Sequence, residues 1–177
     1  MKGHEIILND YLNLIKRESI SSVLDAGSGR TSLSIIANSF QNMSIDAVVY
    51  PGDLRKINSV REITDNNKNL RLIKKDICCD IFTNEYDLII AHLLLGEAAK
   101  FGNTFENLLE KVITMKYKYL IIIDYLEDPA INENYIIYLC EKYNLTVVYR
   151  SYFTNPEPHV WEDFVGIHNF GYLIKRS

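Results

Sequence analysis

The 177-residue chain contains no apolar run of membrane-spanning length and no signal-peptide layout at its N-terminus, so neither is expected. Cysteine is scarce. Cys78, Cys79 and Cys140 form an odd set with two adjacent members, which excludes a disulfide framework and any zinc spacing. A reducing cytoplasm is the expected compartment, and no metal site is expected. Only 8 glycines and 4 prolines punctuate the sequence, with no repeat, low-complexity tract or linker, so one domain over 1–177 is expected. Positive charge is not in excess: 19 Lys and Arg against 23 Asp and Glu leave a net charge of -4, which argues against a general nucleic-acid surface. The 47% of hydrophobic residues is ample for a core.

What is present centres on Val23-Leu24-Asp25-Ala26-Gly27-Ser28-Gly29-Arg30-Thr31-Ser32-Leu33. A short apolar run breaks at two glycines spaced by one residue, and apolar residues then resume at helical spacing. This is a buried strand, a tight turn and a helix, with the helix's free N–H groups facing the turn. A dinucleotide fingerprint needs a third glycine where Ser32 stands, so that fingerprint is broken. Asp25, two residues before the first glycine, would also repel a pyrophosphate and attract a cation.

The Asp25-x-Gly27-x-Gly29 pattern resembles the class I S-adenosylmethionine (SAM) methyltransferases, with Thr31 at the family's usual third glycine. The resemblance implies an α/β fold: three-layer, doubly wound, with a mostly parallel seven-stranded sheet and an antiparallel last strand. It implies SAM as cofactor, S-adenosylhomocysteine as product, and Asp25, Ala26, Gly27, Ser28 and Gly29 around the cationic amino end.

The chain in order agrees with that plan. Glu5 to about Glu18 reads as an amphipathic helix packing on the core, followed by a strand over Ser22–Asp25 and a helix from Thr31 to Phe40. A second strand, Ile45–Tyr50, runs into Pro51-Gly52-Asp53, and Asp53 can cap the next helix. Leu70–Lys74 and the almost unbroken apolar Tyr86–Ala91 are further strands, the latter as a central strand buried on both faces should be. A helix over Thr104–Thr114 leads to a strand at Tyr119–Asp124. Asp128-Pro129 starts a helix with Ile131, Tyr135, Leu139 and Tyr143 inward. Thr146–Phe153 and Val165–Lys175 close the chain as an antiparallel pair, because the short loop between them leaves no crossover.

By the same resemblance a carboxylate at the end of strand two would take the ribose hydroxyls. None stands at Val49 or Tyr50, so either Asp53 reaches back, or Tyr50 stacks on the adenosine, or cofactor binding is weak or lost; Asp53 reads at least equally well as a helix cap. Asp76 and Ile77 resemble the pair that reads the adenine amino group and covers one ring face, and Asp76 reads equally as a solvated loop residue. His92 follows strand four at the carboxyl edge, where ligands of open α/β sheets bind. A near-neutral imidazole there would serve as base or substrate contact, or else as a structural hydrogen-bonder. Tyr125, Glu127, His159 and Trp161 sit on neighbouring loops and are the substrate candidates with His92. The chain reads Ala91-His92-Leu93-Leu94 where amino-directed nucleic-acid methyltransferases carry Asn/Asp-Pro-Pro-Tyr, which disfavours DNA base methylation.

The expected activity is methyl transfer to a small molecule or protein side chain. The alternative is a non-catalytic methyltransferase-like binding or regulatory protein with weak or lost SAM binding, which the missing ribose carboxylate and the missing third glycine favour. With one short N-terminal helix as cover, the site should be open, which suits a large substrate, a partner-supplied lid or a homodimer.

Overall fold

The structure is a computed structural model and describes residues 2–126, 128–154 and 168–177. Seven strands form one sheet in the order β3-β2-β1-β4-β5-β7-β6. They are β1 (Ser22–Asp25), β2 (Ser44–Val49), β3 (Leu70–Lys74), β4 (Tyr86–His92), β5 (Tyr117–Tyr125), β6 (Leu145–Thr154) and β7 (His168–Arg176). The first five pair in parallel, and β7 lies antiparallel between β5 and β6. The expected architecture is the observed one.

Among the described residues, five α-helices cover the two faces. On one side lie α1 (Gly3–Ile15), α2 (Arg30–Ser39) and α3 (Leu54–Thr64); on the other lie α4 (Phe105–Ile113) and α5 (Glu133–Lys142). The central strands explain why their sequence does not alternate. Leu88 and Ile90 of β4 point into the α1–α3 core, while Ile89 and Ala91 point into the α4–α5 core. Both side-chain sets are buried, so both must be apolar.

Helix α1 lies against the last strands with very little clearance. A Cβ on Gly171 would sit 2.5 Å from Ile7 and 3.0 Å from the Tyr11 ring, so only glycine lets the helix approach so closely. The Tyr11 hydroxyl donates to the Gly171 carbonyl at 2.8 Å, tying helix to strand. Away from the carboxyl edge, Asp46 of β2 takes Arg71 through two hydrogen bonds (3.0 and 2.9 Å) and Tyr86 at 2.7 Å, binding three strands together. Asp46 is thereby structural.

Two local expectations are corrected. Asp128 does not cap α5. Its carboxylate accepts from the Ala130 N–H at 2.9 Å in a turn of its own, and the helix begins at Glu133 after Asn132. The helix buries Ile136, Leu139 and Cys140, with Ile131, which precedes it, and Tyr135 and Tyr143 half-buried at the margin. A 3-10 helix at Leu95–Phe101, which sequence periodicity does not show, follows β4. It is bracketed by Leu93 (φ 52°) and Gly102 (φ 67°), both in the left-handed region. For a leucine that conformation is strained, and such strain gathers at binding sites.

Candidate functional site

A cavity of about 310 Å³ opens at the carboxyl ends of β1, β2 and β4. Open α/β sheets bind ligands at this edge, because the strand order reverses beside β1 and the connections diverge. Gly27 and Ser28 form one side of it. Tyr50, Asp53 and Lys56 approach from β2 and α3, and Leu94, Glu97 and Phe101 from the segment after β4. Ala26 and Ile77 contribute apolar lining. The rings of Tyr50 and Phe101 meet edge to face with centroids 5.3 Å apart, bridging the β2 and β4 sides.

The turn beneath is held by backbone hydrogen bonds from Ala26 N–H to the Ile90 carbonyl (2.9 Å) and from Ser28 N–H to the Val48 carbonyl (2.8 Å). Gly27 is needed for a specific reason: a Cβ there would stand 2.7 Å from a Leu94 methyl. Gly29 is different. It precedes α2 as its N-cap in an extended conformation, lies outside the cavity lining, and a Cβ on it would meet nothing. Gly27→Ala is therefore expected to push Leu94 into the cavity, at a cost of about 1–3 kcal/mol in stability. Gly29→Ala should leave the cavity open; paired denaturation curves check the contrast.

Asp25 does not line the cavity. It is fully buried under the turn at the end of β1. One oxygen accepts from the Ser32 hydroxyl at 3.0 Å, while the other and the neighbouring Ser28 hydroxyl are buried and form no hydrogen bond of good geometry, with each other or with any other described group. Burial pushes the Asp25 carboxyl up to about 6, against the pull of Ser28, Ser32 and the more distant Lys56 charge. Unpartnered buried polar atoms are costly, and their presence beside a ligand-sized cavity points to a function.

Asp53 and Tyr50 line the cavity. Asp53 also caps α3 by accepting from the Lys56 N–H at 2.9 Å. Ile77 reaches the cavity, whereas Asp76 is outside the lining. The Asp76 carboxylate accepts from the Cys78 N–H at 2.8 Å, and its own N–H donates to Asp80 at 2.6 Å, so its carboxylate is used in a tight turn.

His92 is buried and lines neither this cavity nor the next. Its Nε2 lies 3.0 Å from Nδ1 of His4, which α1 brings over the end of β4. One nitrogen must carry the proton and the other accept. Burial, and then the neighbouring imidazole, push His92 down to about 3. This corrects the expected near-neutral imidazole: a ring this reluctant to take a proton is a poor general base at neutral pH.

Beside the first cavity is a second of about 330 Å³, lined by Leu93, Gly96, Asp124, Tyr125 and Asp128 and sharing Glu97 and Lys100 with it. Tyr125 is thus placed at an edge of the site. Asp124 is almost wholly buried, holds the Gly96 N–H at 3.1 Å, and is pushed up to about 6 by burial. Glu127, His159 and Trp161 fall outside the described residues. Sequence reasoning missed Lys56, Leu94, Glu97, Lys100 and Phe101. Four of these belong to the segment after β4, whose 3-10 form leaves no α-periodic signal.

No protein-family model matches the sequence, and no curated protein matches it. Solved structures do match. The N-methyltransferase NodS from Bradyrhizobium japonicum, in complex with S-adenosylhomocysteine, superposes with a TM-score of 0.72 at 12% identity, covering 99% of this chain and 88% of that one. Magnesium protoporphyrin IX methyltransferase from Synechocystis with bound SAM gives 0.70 at 13% identity, covering 99% and 80%. The 1,6-didemethyltoxoflavin-N1-methyltransferase from Burkholderia thailandensis gives 0.69 at 12%, covering 99% and 79%. The chain has the fold of the class I SAM-dependent methyltransferases. The β7 insertion between β5 and β6 belongs to that fold and separates it from all-parallel dinucleotide domains.

Proposed function

We propose that the protein is a SAM-dependent methyltransferase acting on a small molecule or protein side chain. The observation that carries this is the cavity above Asp25, Gly27 and Ser28, with two buried polar atoms beneath it, an Asp25 oxygen and the Ser28 hydroxyl, that make no well-formed hydrogen bond among the described residues. A ligand bearing an ammonium group near that turn would neutralise the buried carboxylate, and an adenosyl group fits the lining of Ile77, Tyr50 and Phe101. Bound SAM supplies a methyl group already activated on a sulfonium. The protein's task is then to position and to exclude water, rather than to supply a strong base. Leu94 and the turn set one boundary of the cofactor, and the shared residues Glu97 and Lys100 bring the second cavity, with Tyr125 and Asp124, next to it. That neighbouring cavity is our candidate for the acceptor.

The test is turnover of SAM carrying a labelled methyl group, with panels of small nucleophiles and of protein substrates. Acceptor-dependent formation of S-adenosylhomocysteine is the expected result. Weak or absent cofactor binding with no turnover on either panel would favour the non-catalytic reading, for which the uncharged end of β2 is the supporting observation.

A further inference from the structure

We propose that Glu97, carried by the 3-10 helix after β4, supplies the carboxylate that receives the ribose hydroxyls of the cofactor. This rests on the reading of the cavity as an adenosyl-ligand site. A vicinal diol presents two O–H donors, and a carboxylate with its two oxygens is the best-matched acceptor. The end of β2 has only Val49 and Tyr50 to offer, and the Tyr50 ring leans on Phe101. Two carboxylates face the cavity among the described residues, Asp53 and Glu97. Asp53 has one oxygen committed to the α3 backbone.

Glu97 is differently placed. It enters from the opposite wall, half-buried, and its partners are two lysine ammonium groups: Lys100 at 2.9 Å on one oxygen and Lys56 at 3.6 Å on the other. Each oxygen keeps a second lone-pair direction, so Glu97 can accept from a diol while the lysines hold it. The lysines also offset the repulsion that a free carboxylate would meet from Asp53. Lys56 comes from α3 and Glu97 from beyond β4, so the pair spans the cavity and sets the carboxylate's position over it. The ribose anchor would then stand on the segment after β4, across the cavity from the uncharged end of β2. Because Glu97 also lines the second cavity, cofactor binding would fix a wall shared with the acceptor.

The experiment is calorimetric titration with S-adenosylhomocysteine and with its 2′-deoxy and 3′-deoxy analogues, on wild type, Glu97→Ala and Asp53→Asn. Wild type should bind the deoxy analogues about tenfold or more weakly than the parent. Glu97→Ala should bind the parent weakly and treat all three ligands alike, whereas Asp53→Asn should keep the discrimination. A general loss of structure would not erase discrimination selectively, and thermal denaturation of each variant checks folding independently. Full discrimination in Glu97→Ala, or its loss in Asp53→Asn alone, overturns the assignment of Glu97 while leaving the cofactor reading intact. Absence of any binding by wild type overturns both.

Discussion

Asp25→Asn should raise the stability of the protein at neutral pH and at the same time weaken its affinity for SAM at least tenfold. The two effects have one cause. Asp25 is fully buried, and its carboxyl is pushed from 3.8 up to about 6 by desolvation. The folded state therefore binds a proton that the unfolded state has already released. The stabilising effect of that proton is complete below pH 3.8, declines as pH rises, and is gone above about 6, where the ionised carboxylate is carried at a penalty. At pH 7 and above the penalty is about 3 kcal/mol, because each tenfold change in proton affinity is worth about 1.4 kcal/mol. An asparagine of the same shape removes the charge, keeps an oxygen for the Ser32 hydroxyl, and offers an amide N–H towards the unpartnered Ser28 hydroxyl. A gain of about 1–3 kcal/mol is expected, or several degrees in Tm for a chain of this size. The cofactor's ammonium would lose its counter-charge, so affinity should fall by at least tenfold. Denaturation and titration of one preparation read both effects, and unchanged affinity would sink the assignment of Asp25 to the cationic end.

His92→Ala should act in the opposite direction on stability. The substitution leaves a buried hole and strips His4 Nδ1 of its 3.0 Å partner, so about 2–4 kcal/mol should be lost at pH 7. It should also change how stability depends on pH. The folded His92 resists protonation down to about 3, whereas the unfolded ring titrates near 6.5. The unfolded state thus gains protons first on acidification, and wild type loses about 1.4 kcal/mol per pH unit from this group as pH falls below 6.5. His4, also pushed down by burial, adds to that loss. Asp25 and Asp124, both pushed up to about 6, work against it between pH 6 and 4. Wild-type stability should therefore vary little with pH in this range. The His92→Ala variant should become more stable as pH falls from 6 to 4, and Asp25→Asn should become less stable. Urea denaturation at each pH reads the slopes, and parallel slopes in all three proteins would refute the assignment of these buried groups. On catalysis, a His92 held at about 3 cannot generate an activity profile with a midpoint near 6.5, so such a midpoint in turnover must belong to another group.

The fold was legible because burial on both faces writes itself directly into sequence. Leu88–Ala91 and Leu120–Ile123 are apolar without alternation, as strands between two helical layers have to be. Asp53 announced the start of α3, since a side-chain acceptor before a helix satisfies N–H groups that have no other partner. The turn at Gly27 was equally plain, although its physical reason differs from the expected one: Leu94, far along the chain beyond β4, is what fills the space next to it.

The site was harder to read because much of it depends on contacts distant in sequence. His92 sits at the right edge of the right strand, yet its chemistry is decided by His4, which α1 carries to within 3.0 Å. Asp76 has the expected type and place, but the next turn claims its carboxylate through the Cys78 N–H. The Glu97–Lys56 pair joins two segments separated by β3 and β4, and no local pattern records it. The start of α5 moved because Asp128 forms a turn with Ala130 and Ile131 instead of capping a helix.

The measurement that bears most directly on the central claim is isothermal titration of the purified protein with SAM, S-adenosylhomocysteine and NADH. Saturable binding of the two adenosyl ligands with a Kd on the order of micromolar, and no heat from NADH, is the expected result. Binding of NADH, or no binding of any of the three, would contradict the reading of the cavity as a SAM site.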